Sequence, residues 1–184
     1  DFSLISHLER ILRNMVILPA TEADLQAVIE LVAQGRAALA RQGVDQWQDG
    51  YPAPGHISAD IGRNRGYVLC KPGVEGPLSV IAYGAVVFDG EPAYDAIDGQ
   101  WLTDEPYVLV HRIAVADGER GRGVAAEFLH RVETLAQERG VKAFRIDTNF
   151  DNQTMLRLLE RTGFTYCGKV VYRSGERLAY EKRI

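Results

Sequence analysis

Cysteine is scarce, with two in 184 residues. That excludes a disulfide-stapled scaffold. Cys70 and Cys167 also fit no metal-ligand spacing, so free, buried or half-buried thiols in a reducing cytosol are expected. The four histidines form no ligand pattern either, and no metal is expected. Long apolar runs are missing: none approaches the roughly 18 residues of a membrane-crossing helix. No membrane partner is therefore expected, and the cytoplasm is the expected compartment. Positive charge is not in excess, and a net charge of −4 argues against a non-specific nucleic-acid binder. The nucleotidase string G-x-x-x-x-G-K followed by Ser or Thr does not occur.

Against these absences, 46% hydrophobic and 25% charged residues are ordinary globular values. The length suits one domain with a two-layer core, expected over residues 15–184. Residues 1–14 are set apart as an N-terminal extension or an expression remnant. Phe2, Ile5, Leu8 and Leu12 share one helical face there, which would also suit a helix at a homodimer contact.

Periodicity and turn chemistry give an α+β order. Met15–Pro19 reads as a strand, and Thr21 opens a helix over Asp24–Ala40. Residues 45–56 read as a loop and Ile57–Ile61 as a short helix. Tyr67–Cys70 and Leu78–Asp89 read as a hairpin, and residues 90–105 as an irregular acidic connection. A strand (Tyr107–Val115), helix (Val124–Arg139) and strand (Val141–Thr148) then form a parallel crossover. A helix from Asn152 to Arg161 and strands at Phe164–Tyr172 and Arg177–Lys182 complete a mixed sheet with helices on both faces.

The turn between Val115 and Val124 carries the strongest chemical signal. Its glycines, Gly121 and Gly123, permit positive φ and close approach of a ligand. The first N–H groups of the following helix have no internal partners and attract an anion. Arg120 and Arg122 add fork-shaped donors. The pattern suits a coenzyme pyrophosphate. Gly121 to Ala126 also matches the dinucleotide fingerprint G-x-G-x-x-A, but only about 60 residues follow it, and they turn to hairpins instead of further crossovers.

The segment resembles motif A of the GNAT acetyltransferases, with Arg120, Gly123 and Ala125 in the three motif positions. Asn152 through Gly163-Phe164 is similar to the next family motif, and Met15–Leu25 to the family's opening strand and helix. The resemblance covers residues 15–184 and implies a GNAT fold whose fourth and fifth strands splay apart. It implies acetyl-CoA as coenzyme, and direct acetyl transfer to a primary amine of a small molecule or peptide. A non-catalytic acyl-CoA sensor or interaction module is the alternative.

By resemblance, backbone groups of Arg120, Gly121, Arg122, Gly123, Val124 and Ala125 hold the pyrophosphate. Ile113, Ala114 and Val115 line the pantetheine arm as an added strand would, with Asn149, Asn152 and Met155 beside it. An ammonium is no nucleophile, so a base is needed, and His111 is the candidate. The family's usual tyrosine acid is replaced by Leu159, for which Tyr166 or Tyr172 is the expected substitute. Trp47, Tyr51, Tyr83, Tyr94, Trp101 and Asp147 are expected to form an aromatic, acidic acceptor pocket suited to a cationic amine.

Overall fold

The structure is a computed structural model that describes residues 10–73 and 76–184. Strand β1 is Val16–Pro19, followed by helices α1 (Leu25–Arg41) and α2 (Pro54–Gly62). Strands β2 (Gly66–Lys71), β3 (Ser79–Val87), β4 (Asp98–Gly99) and β5 (Tyr107–Val115) come next. Helix α3 (Val124–Glu138), β6 (Ala143–Thr148), α4 (Gln153–Arg161), β7 (Thr165–Tyr172) and β8 (Gly175–Arg183) complete the chain.

The strands form one sheet in the order β1-β2-β3-β5-β6-β8-β7-β4. Every neighbouring pair is antiparallel except β5 and β6. Strand alternation sends Val108, Val110, Phe144 and Ile146 to one face, where Phe128, Leu129 and Val132 of α3 and Leu158 and Leu159 of α4 bury them. The opposite face turns Val68, Cys70, Tyr83 and Ala114 against Val28, Leu31 and Val32 of α1 and Ile57 and Ile61 of α2. Further along that face, the connection between β3 and β5 packs Tyr94 and Trp101 against Leu109, Val170 and Ala179.

That connection has more order than its acidic sequence suggests. Pro92–Ala96 forms a 3-10 turn, and β4 pairs with β7. A buried ion pair pins its far end: Glu181 accepts from Arg145 Nε at 3.0 Å and from the Leu102 and Thr103 backbone. The Arg145 guanidinium lies between the Trp101 and Tyr107 rings. Helix α2 also begins earlier than its apolar pattern implies, because Pro54 supplies a preset φ at its first turn. Of the N-terminal segment, residues 10–13 are helical, and Leu12 packs on the main core. Phe2, Ile5 and Leu8 lie outside the described residues.

One feature of the sheet positions everything that follows. Strands β5 and β6 pair only through Tyr107–Leu109 and Ala143–Arg145. Beyond that, β5 stays with β3 and β6 stays with β8, so the two strands part. The cause is local. The β3–β5 register slips at Tyr83/Ala85, opposite Arg112, whose φ of 57° is left-handed. An extra residue of this kind bends a strand and deepens its twist. The expected splay is therefore present, between β5 and β6 because the short β4 adds one to the count.

Candidate functional site

A cleft of about 820 Å³ runs through this gap. One end is lined by Arg120 and Ala125, which flank the glycine turn. Gly121 and Gly123 have φ of 74° and 79°. Gly123 is the N-cap of α3, and no side chain caps the helix, which leaves its first N–H groups open. A Cβ placed on either glycine would meet nothing within 4 Å, so the space over the turn is clear. Arg120 lines the cleft and is steadied by Asp117, its Nε donating at 2.9 Å. Arg122 is exposed and stands 3.9 Å from the Glu119 carboxylate, which Lys71 also pairs with. Ala125 lines the cleft, whereas the Val124 side chain is in the core.

Ile113, Ala114 and Val115 form one wall of the middle section, and Thr148, Asn149, Asn152 and Met155 the other. Because β6 has left, peptide groups on that edge of β5 lack ladder partners. Asn152 caps α4, its Oδ1 accepting from Met155 N at 3.2 Å while its Nδ2 donates to Gln46 Oε1 at 3.0 Å. Asn149 Oδ1 is buried without a hydrogen-bond partner among the described residues, an acceptor that a ligand N–H would satisfy.

The other end is polar and built on three hydrogen-bonded clusters. His111 Nε2 lies 3.1 Å from Glu91 Oε2. This hydrogen bond holds the Glu91 carboxyl below the usual carboxylate range, against the opposing effect of burial. Arg112 donates through Nε and Nη2 to both oxygens of Asp60, at 2.8 and 2.5 Å, and through Nη1 to the Tyr51 hydroxyl at 2.7 Å. Burial works most strongly against the Arg112 charge, but the hydrogen bonds and charges of Asp60 and Tyr51 together outweigh it. Asp147 Oδ2 accepts from the hydroxyls of Tyr94 and Tyr172, at 2.7 and 2.8 Å.

The gap thus brings together His111, Trp47, Tyr51 and Asp147 with the coenzyme-side residues. Other expected acceptor residues stand behind its wall. Tyr83 is fully buried, its hydroxyl donating to Asp60 at 2.6 Å, and Tyr94 is equally buried under Asp147. Trp101 braces the β3–β5 connection, its Nε1 donating to Tyr94 O at 2.9 Å. Tyr166 is misplaced for acid catalysis: it is 52% exposed on β7, set edge-on against Tyr180, and outside the cleft. Tyr172 does line the cleft, but burial and the Asp147 charge push its phenol upward, and its proton is already engaged. Leu159 is fully buried in the core. Sequence reading missed Asp60, Glu91 and Arg112. Arg112 adjoins His111 in the motif strand, yet only the strand bulge reveals where its side chain goes.

The model for the acetyltransferase (GNAT) family matches residues 32–164. Among solved structures, a GNAT-family acetyltransferase from Streptococcus agalactiae is 37% identical, with a TM-score of 0.81 over 92% of this chain and 95% of that one. A GNAT-family acetyltransferase from Listeria monocytogenes is 18% identical, with a TM-score of 0.72 over 92% and 95%. The NatC complex bound to Gag peptide and CoA shares the fold at 14% identity, with a TM-score of 0.65 over 93% and 99%. No curated protein matches the sequence.

Proposed function

This chain belongs to the GNAT family of acetyltransferases, and from that premise we propose that it moves the acetyl group of acetyl-CoA directly to a primary amine of a small molecule or peptide. The observation that carries the reading is the cleft itself. It threads the gap between β5 and β6, with an uncapped helix at one end and a histidine–glutamate pair at the other. The walls fit the coenzyme. Open amides at Gly123 and the start of α3 suit the diphosphate. The unpaired edge of Ile113–Val115 and the orphan Asn149 Oδ1 suit the amide-bearing arm. Bound there, acetyl-CoA supplies an activated thioester.

The chain's own work is to place the amine and remove its proton. With Nε2–H donated to Glu91, His111 has Nδ1 left as the proton acceptor, and the Glu91 carboxylate stabilises the imidazolium that forms. Arg112 stays locked to Asp60 and shapes the wall beside it. Leu159 has no proton to give, so solvent supplies the one that the leaving sulfur takes.

A screen of primary amines with acetyl-CoA, read by free thiol release, tests this. His111→Ala is expected to lower kcat by about 10²–10⁴-fold while acetyl-CoA binding is retained. Binding of acetyl-CoA with no turnover on any amine would instead favour a non-catalytic sensor.

A further inference from the structure

On the strand opposite His111 stands a carboxylate, Asp147, that has no cationic partner among the described residues. Leu109 and Arg145 are the last paired residues of β5 and β6. Two residues on, His111 and Asp147 occupy equivalent places on the parting strands and share a face of the sheet. Both line the cleft. Of the other acidic groups lining the cleft, Asp60 has Arg112 and Glu91 has His111, whereas Asp45 and Asp49 are exposed on the loop after α1. Among the described residues, Asp147 is held by hydroxyls alone, and both fall on Oδ2. Burial drives the Tyr94 and Tyr172 phenols upward, so both remain neutral donors. A carboxylate fixed by neutral donors keeps its whole charge for an incoming cation.

The same turn serves both sides of the gap. Glu91 caps Pro92–Ala96 and holds His111, and Tyr94, inside that turn, holds Asp147. The spacing of base and carboxylate is thus set by Glu91 and the turn Pro92–Ala96 that it caps.

On the reading of the cleft as an acetyltransferase site, we infer that Asp147 binds the positive charge of the acceptor, with Tyr94 and Tyr172 as its positioning residues. The acceptor class is a small aliphatic amine that enters as a cation. Its charge rests on Oδ1 of Asp147, opposite His111. His56, Arg63 and Arg177 also line the cleft and carry no carboxylate partner among the described residues.

The test is calorimetric and needs no turnover. The protein saturated with coenzyme A is titrated with three cations and their neutral isosteres: 1,4-diaminobutane against 1,4-butanediol, benzylamine against benzyl alcohol, and glycinamide against glycolamide. At least one cation is expected to bind, and to bind better than its isostere. Asp147→Asn should weaken that cation by at least about tenfold. Tyr172→Phe should weaken it less, and should add nothing in the Asp147→Asn background, because it acts only through that carboxylate. Equal binding of cations and isosteres, or unchanged binding in Asp147→Asn, overturns the inference. Acetyl-CoA affinity is measured in parallel. Failure of the wild type to bind any of the three cations while acetyl-CoA still binds sinks this inference alone, whereas failure of the wild type to bind acetyl-CoA sinks the enzyme reading.

Discussion

Arg112 carries strain in its backbone and relief in its side chain. A left-handed φ of 57° costs a non-glycine residue on the order of 1–3 kcal/mol. The two-pronged contact with Asp60 and the hydroxyl of Tyr51 hold it in place. Nothing in the text VLVHRIAV announces this, since a bulge is a mismatch between two strands and one strand alone shows only its own alternation. The glycine turn is the opposite case: its chemistry is local, and it reads directly. Gly123 has φ of 79° and open space above it. A valine there would strain the turn by about 1–2 kcal/mol and place methyl groups where the diphosphate belongs. Gly123→Val is therefore expected to weaken acetyl-CoA binding by about 100-fold or more in calorimetry. Unchanged affinity would remove the turn from the coenzyme site.

At the level of elements, the gap depends on how closely α3 approaches the sheet. Gly84 of β3 faces the helix, and a Cβ there would come within 2.6 Å of the Phe128 ring. Gly84→Ala should force that ring or the helix outward and cost about 1–3 kcal/mol of stability. Because α3 presents the diphosphate amides, coenzyme affinity should fall as well. A denaturant titration alongside calorimetry checks both, and a variant as stable as the parent would show that the approach is not tight. The β3–β5 connection teaches a different point. Aromatic residues in an irregular stretch suggest a pocket lining, yet Trp101 and Tyr94 are spent holding Arg145 and Asp147 from behind. Buried tyrosine and tryptophan seek partners for their polar atoms: the Tyr94 hydroxyl found Asp147 on β6, and the Trp101 N–H found the Tyr94 carbonyl inside the connection.

For the whole molecule, the cleft opens where β5 and β6 part after three paired residues, above the core that both strands share. A ligand that fills it should bind the folded state alone and stabilise it by mass action. At a hundred times its dissociation constant, acetyl-CoA should add about 2.7 kcal/mol, or a Tm rise on the order of 5–10 °C. Melting curves with and without coenzyme test this, and Gly123→Val should show almost none of the rise. The sequence by itself determined the element order apart from β4 and the turn before it, the anion-binding turn, the histidine on the motif strand and the family resemblance, because periodicity, turn chemistry and helix starts are properties of neighbouring residues. Only the tertiary structure decided that Asp60 meets Arg112, that Glu91 meets His111, and that two tyrosines from different elements meet on Asp147. Those partners depend on strand order and on a one-residue slip of register, which long-range packing sets and no local pattern encodes.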